Sequence, residues 1–538
     1  MKYAIYTILL VFFTLNTNAQ IKKEIKILKG EKWWGCYSTF GKEQPFDQTS
    51  KVLFDQYKSD NGNQASPVWV SSSGRYIWSD GPLRGEFRNG LISLESTREI
   101  VLGQTKEKTL ASAYQEVSST YFPASGNFPE EQLFINPQLN TWIELLNNQN
   151  QQDILDYAHE AVENGIKPGV IMLDGGWQKN FGLWDFNGYF PTPKKMVDEL
   201  HDLGYKVMLW VVPYAAGDDK TTNKNIQKGF LLQDPVKPKQ PYLVNWWNGF
   251  SPAYDLSNPK AKDYFVGVLK GLMNKYGIDG FKFDAGDPDH FIYPFDSYMP
   301  MSKVDYAEAF GKLGLLFPFN EYRVSFKMGG QALMQRMRDK PATWDAFRTL
   351  IPDMLTAGLM GYPYTCADMI GGGEAKSYVS TPEEYLKGTR HLNVKVDQEL
   401  FVRAAQCQAL MPMMQISIAP WRVLDKEHYD AFLKATKLHE EFAPLILRLA
   451  NEAAKTGEPI MRNMEYVFPG NGYTGIKDQF MLGDSVLVAP VVAAGQESRK
   501  VVFPKGLWLG DDGSKIKGGK TVLVNVPLER LAYFKRIK

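Results

Sequence analysis

Cysteine is scarce in this chain, and its scarcity bears on two architectures at once. The 538 residues hold three, Cys36, Cys366 and Cys407. An odd, scattered set makes no disulfide framework, although a single bridge stays open. Histidine is nearly as rare. The six, His159, His201, His290, His391, His428 and His439, form no HExxH or other ligand spacing, so no metal site is expected. Neither sign of charge prevails, with 61 Lys and Arg against 60 Asp and Glu. A net charge of +1 offers nothing to a nucleic acid or an anionic membrane surface. Long apolar runs are missing apart from Ile5 to Leu15, which is too short to span a bilayer, so no membrane insertion is expected. No internal repeat is present. No Gly-rich phosphate loop follows any candidate strand, which argues against a nucleotide fold.

What is there begins with a leader. Lys2 precedes the apolar run, and Thr17-Asn18-Ala19 offers a small-residue cleavage site before Gln20. Residues 1–19 therefore read as a signal peptide, and no cysteine near the cut suggests a lipid anchor. The mature protein is expected to be exported, periplasmic or secreted. The chain is longer than one core usually supports, so about two to four domains are expected. Aromatic content is high at 13%, with 13 Trp and 27 Tyr, which suits both a large packed core and stacking on sugar faces.

From Ile21 to about Pro129 the chain alternates in short runs broken by Gly, Ser, Pro and Asn, such as Pro67-Val68-Trp69-Val70 and Gly74-Arg75-Tyr76-Ile77-Trp78. That is all-β material, read as a sandwich. Near Leu133 the rhythm changes to strands separated by amphipathic helices. Helices are expected over Gln152–Asn164, Pro193–Leu203 and Pro259–Tyr276, with strands over Gly169–Asp174 and Lys206–Val212. Continuous apolar strands between helices indicate a parallel sheet covered on both faces. From about Met464 short strands return, as in Val486-Leu487-Val488-Ala489 and Thr521-Val522-Leu523-Val524, forming a second, smaller β domain.

The most informative stretch is Gly280-Phe281-Lys282-Phe283-Asp284-Ala285-Gly286-Asp287. Period-two geometry puts Phe281 and Phe283 on one face and Lys282 and Asp284 on the other. In a parallel β/α barrel the aromatic pair packs on the helices and Lys282 and Asp284 face the lumen. Asp284 then stands at the strand's C-terminal end, where such barrels do their chemistry. Lys282 beside it favours the ionised carboxylate that a nucleophile requires. Taken alone, the stretch also fits a buried Lys–Asp pair that only fills a barrel. Asp174 ends another strand at the same pole, which favours a barrel over a doubly wound sheet. If the site cleaves glycosides it needs a second carboxyl. The candidate is Asp339, in a loop after an expected strand Arg323–Phe326. On charge pattern alone the better reading is a surface partner of Arg338 or Lys340.

Several separate segments resemble glycoside hydrolase family 31, the retaining α-glycosidases. Phe281-Lys282-Phe283-Asp284-Ala285-Gly286-Asp287 is similar to its nucleophile strand, and Asp339 with Thr343-Trp344 to its acid/base loop. Gly361-Tyr362-Pro363, Ala367-Asp368-Met369-Ile370-Gly371-Gly372, Thr456–Arg462 and Phe480–Pro490 resemble its downstream segments in the right order. The Phe-Lys-Phe-Asp-Ala-Gly run and Glu321-Tyr322-Arg323-Val324 look closest to the branch of the myogenesis-regulating glycosidase and bacterial α-galactosidases.

The resemblance implies a (β/α)8 TIM barrel over 131–463, flanked by an N-terminal β-sandwich over 20–130 and a small C-terminal β-sandwich over 464–538. It implies Asp284 as nucleophile, Asp339 as acid/base, and Asp174, Trp210, Trp247, Lys282, Arg323 and Asp368 as substrate-binding residues. Trp177 and Trp184 are further lining candidates. Two departures stand out. Pro412-Met413-Met414-Gln415-Ile416-Ser417 puts Ser417 where α-glucosidases of the family carry a sugar-contacting histidine, and Arg336-Met337-Arg338 replaces the usual Trp-Ser-Gly before the acid. With Gln415 nearby, the first indicates a pocket whose donors differ from the α-glucosidase set. The expectation is a retaining exo-α-galactosidase acting on oligosaccharides or glycosides without a cofactor. The alternatives are an α-glucosidase or α-xylosidase and, more distantly, an inactive carbohydrate-binding protein. Its carboxyls should stand about 5–5.5 Å apart, with the acid's pKa raised and the nucleophile's lowered.

Overall fold

The computed structural model describes residues 20–58 and 63–538; the expected leader, residues 1–19, lies outside the described residues. Eight parallel strands close a barrel: β1 (Gln138–Asn140), β2 (Val170–Leu173), β3 (Lys206–Val211), β4 (Gly280–Phe283), β5 (Phe319–Tyr322), β6 (Gln335–Arg336), β7 (Thr365–Met369) and β8 (Met413–Ile416). They pair in chain order, and β8 returns to β1.

The helices around the barrel are set by local signals. In Pro259–Tyr276, Asn258 caps the N-terminus through its side chain, Pro259 takes the first turn, and Gly277 ends the helix at φ +83°. Its Phe265, Leu269 and Leu272 are buried. Helix Lys426–Thr456 runs 31 residues from its cap at Asp425 to a left-handed Gly457. No helix among the described residues is long and apolar enough to cross a membrane.

Two sheets form the N-terminal sandwich. One is ordered Ile21–Lys26, Leu91–Ser96, Arg84–Arg88, Val52–Asp55; the other joins Trp33–Tyr37, Gln64–Ser71, Arg75–Ser79 and Ile100–Gln104. Trp33, Trp69, Ile77, Phe87 and Ile92 fill the core between them. Two readings need correction here. The stretch up to Pro129 is not all β: Leu110–Tyr121 is a helix, started by a capping box of Thr109 and Ser112 and buried through Leu110, Ala113, Tyr114 and Val117. Nor is Arg323–Phe326 a barrel strand. The barrel strand ends at Tyr322, and Ser325–Phe326 leaves to pair in parallel with Gln64–Ala65 of the sandwich.

The C-terminal β domain has a six-stranded sheet that starts at Met461–Arg462 and a two-stranded ribbon, Ser498–Phe503 with Lys520–Asn525. Met481, Leu487, Phe503, Trp508 and Phe534 are its core. All three cysteines are buried and unpaired.

Candidate active site

Strand β4 alternates as its sequence dictates. Phe283 stacks on Tyr322 at 4.8 Å and meets Phe310 edge-on, and Phe281 meets Phe317, all on the helix side. Lys282 points inward and donates to Asp174 Oδ2 at 2.8 Å. Asp284 follows the last strand residue, and Ala285 turns the chain at φ +56°, a left-handed conformation that costs a non-glycine residue about 1 kcal/mol or more. The turn lets Ala285 N donate to Asp284 Oδ1 at 2.9 Å, while Trp210 Nε1 on β3 donates to Oδ2 at 2.7 Å.

A cavity of about 760 Å³ opens at this pole, and Asp174, Trp210, Trp247, Lys282, Asp284, Arg323 and Asp339 all line it. Arg323 stands between the two carboxyls, with Nε 3.7 Å from Asp284 Oδ1 and Nη1 3.7 Å from Asp339 Oδ2. Asp287 holds it from behind at 3.3 Å. Trp247, half exposed, lies over the guanidinium at 4.9 Å.

Other expected residues sit elsewhere. Asp368 does not line this cavity. Its Oδ2 accepts from Lys340 N and Gly373 N, and its Oδ1 from Arg336 Nη1, so it braces Arg336 and the Asp339 loop. Trp177 and Trp184 form a second layer: Trp177 Nε1 donates to Trp210 O, and Trp184 packs edge-on against Trp210. Phe181, Trp142 and Gln178 line the wall instead. Ser417 and Gln415 do not reach the cavity either. Ser417 Oγ accepts from Ile143 N and donates to Asn140 O, tying β8 to the segment around β1. Gln415 Nε2 donates to Gln138 and Glu321 within the lumen. The fully buried hydroxyl and amide are satisfied inside the fold, so neither supplies a new donor to a sugar.

The residue that the sequence reading passed over is Arg336. It is buried in the lumen, and its Nη1 donates to Asp339 Oδ1 at 2.6 Å and to Asp368 Oδ1 at 3.2 Å, with Nε 3.4 Å from Glu321 Oε1. Its place on an inward-facing strand end, three residues before a carboxylate, was the available signal.

Electrostatics separate the acids. Burial raises the Asp284 carboxyl, but Lys282, Arg323, Arg336 and the Trp210 hydrogen bond outweigh it and hold the pKa at about 2. Asp339 departs from the expected rise. Burial pushes it up, yet Arg336, Arg323 and Lys282 hold it below its usual value in the free site. The raised carboxyl is Asp368, lifted to about 7 by burial and by the Asp339 charge. Burial also raises Asp174, with Lys282 opposing.

Comparison with known proteins agrees with this geometry. Residues 137–449 match the glycosyl hydrolases family 31 TIM-barrel domain and 457–537 the glycosyl hydrolase family 31 C-terminal domain. The chain is 30% identical over 444 residues to the myogenesis-regulating glycosidase of Mus musculus, covering 79% of this chain and 59% of that protein. It is 23% identical over 564 residues to an alpha-xylosidase of Saccharolobus solfataricus, covering 96% and 71%. The first curated relatives are longer proteins, of which the chain spans about half to three fifths. A Flavobacterium johnsoniae GH31 dextranase complexed with glucose superposes with a TM-score of 0.82 at 20% identity, over 97% of this chain and 67% of that one, which shows the shared fold. Barrel, cavity and sequence agree: the chain belongs to glycoside hydrolase family 31, with its likeness to the branch of the myogenesis-regulating glycosidase.

Proposed function

We propose that this chain is a retaining exo-α-glycosidase that removes terminal α-linked galactose from oligosaccharides or glycosides. The observation that carries the chemistry is the placement of Asp284 and Asp339 on either side of Arg323 in one cavity. Asp284, kept ionised, attacks the anomeric carbon. Asp339 gives its proton to the leaving glycosidic oxygen, and a covalent glycosyl-enzyme forms. Asp339 then takes a proton from water, whose oxygen replaces Asp284 at the anomeric carbon and restores the α configuration. Arg323, Asp174 and the Trp210 and Trp247 faces hold the sugar, and the Trp210 N–H keeps the nucleophile in place between turns of the cycle.

Support for galactose comes from the Phe-Lys-Phe-Asp-Ala-Gly strand and its branch likeness, because Ser417 and Gln415 are turned away from the cavity. Relatives named alpha-xylosidase and alpha-glucosidase favour the second reading, the same chemistry on xylose or glucose. A hydrolysis screen over aryl α-galactoside, α-glucoside and α-xyloside decides between them. The expected result is the highest kcat/KM on the galactoside; better turnover of another sugar overturns the galactose reading and leaves the mechanism standing. No turnover of any of the three favours an inactive carbohydrate binder. Export belongs to the same proposal, and N-terminal sequencing of the protein made in a bacterial host should find Gln20 first.

A further inference from the structure

The carboxyl behind the acid/base has no role in the chemistry described so far. Asp368 lies on β7, buried, with Oδ2 saturated by two backbone N–H groups, Lys340 N at 2.8 Å and Gly373 N at 3.1 Å. Its Oδ1 is left facing the same guanidinium nitrogen that holds Asp339 Oδ1. Gly373 is what lets both oxygens crowd there: a methyl group on it would meet Asp368 Oδ1 at 2.6 Å and Asp339 Oδ1 at 3.0 Å. Gly373 is itself pinned by Trp142 Nε1 on its carbonyl at 3.0 Å.

We propose that Asp368 is the proton partner of Asp339, the two carboxyls sharing one proton at the Oδ1 atoms that both accept from Arg336 Nη1, with Asp368 and the always-charged Arg336, which keeps its own protons, acting as positioning residues. Two carboxyls crowded on one guanidinium nitrogen, one of them buried, do not both ionise readily, so such a pair loses its last proton late. The charged groups around Asp339 are Arg336, Arg323, Lys282 and Asp284, and those around Asp368 are Asp339 and Arg336, with Tyr378 and Cys366 neutral beside it. Arg336, Arg323 and Lys282 draw the proton off Asp339, whereas at the backbone-bonded Asp368 the Asp339 charge outweighs Arg336. In the free enzyme the proton therefore rests on Asp368. It crosses to Asp339 when a substrate's glycosidic oxygen arrives to take it, and the pair then holds none until water returns one in the second step. The direction agrees with an Asp368 carboxyl pushed up to about 7.

The inference rests on Asp339 being the acid/base, and the test separates the two. The pH profile of kcat/KM reports the free enzyme. On the aryl α-glycoside that the wild type turns over best, activity should fall as pH rises through about 7. Asp368→Asn keeps the shape and removes the partner, so the basic limb should move down by about one unit or more, the size of a close charge effect. An unmoved limb, or one that moves up, overturns the proton sharing. If Asp368→Asn fails to fold, infrared titration of the intact enzyme and of Asp339→Asn serves instead. The wild type should lose one protonated-carboxyl band near neutral pH, and in Asp339→Asn that band should titrate lower; the same midpoint in both overturns the inference. Asp339→Asn also tests the catalytic reading, which fails if activated and poor leaving groups lose rate equally.

Discussion

Trp210 does two things at once: its ring is a wall of the cavity, and its N–H is one of the two hydrogen bonds that Asp284 receives from protein. Replacing it with Phe keeps the wall and removes the donor. A hydrogen bond to a charged group is worth about 1.5–3 kcal/mol, so kcat/KM should fall by about ten-fold or more. Because the lost bond had lowered the Asp284 pKa, the acid limb of the pH profile should move up; an unmoved limb would separate the nucleophile from that bond. Asp284→Ala should abolish turnover with the fold intact, and azide should restore it with formation of a β-glycosyl azide. Wild-type hydrolysis by that variant would remove Asp284 from the chemistry. The inward direction of Lys282 and Asp284 was legible because a strand's period is two. The inward turn of Ser417 and Gln415 was not, because their partners, Asn140, Ile143, Gln138 and Glu321, come from segments far away in sequence. A slot in a motif gives a residue's position and not the direction of its side chain.

At the scale of elements, the short parallel pairing of Ser325–Phe326 with Gln64–Ala65 matters most. It delivers Gln64, fully buried, whose Nε2 donates to Arg323 O at 3.0 Å and Arg336 O at 2.9 Å. One amide thus fixes the backbone of both arginines that hold the carboxyls. Gln64→Leu preserves bulk but takes this donor from the buried Arg336 carbonyl, at about 1–3 kcal/mol, and leaves Arg323 O with Asn63 Nδ2 alone. The variant should melt earlier and also lose kcat, since both arginines gain freedom. A lower melting temperature with unchanged kcat would show that the amide supports the fold alone. No pattern in the sequence announces this contact. Ser325 and Gln64 are 261 positions apart, and a two-residue strand has no period. The same brevity hid β6, whose two residues carry Arg336, whereas Lys206–Val211 and Pro259–Tyr276 were readable because length and caps marked them. Helix Leu110–Tyr121 was lost for a different reason: its cap signal sat inside a region whose earlier strands set the expectation.

Across the whole molecule, the domain order could be read from where alternation gives way to helices and returns, since that rhythm is a property of composition. How the outer domains grip the barrel could not. Every residue lining the cavity comes from barrel segments, so the flanking domains act on the site only through other parts of the barrel. At the far end the grip is Arg403, buried on barrel helix Gln398–Ala409. Its guanidinium donates to Val526 O at 2.8 Å and Pro527 O at 3.0 Å in the C-terminal domain, and burial holds its pKa below the usual arginine value. Arg403→Met keeps an apolar stem there and strands Val526 O, at about 1–3 kcal/mol if water cannot reach it, while Pro527 O keeps Arg530 N. Calorimetry should then show the C-terminal domain unfolding ahead of the barrel. Below that first transition KM for the glycoside should stay where it was, because no lining residue has moved. A single cooperative transition at the wild-type temperature would mean that the apolar contacts of the interface hold the two domains together without the arginine.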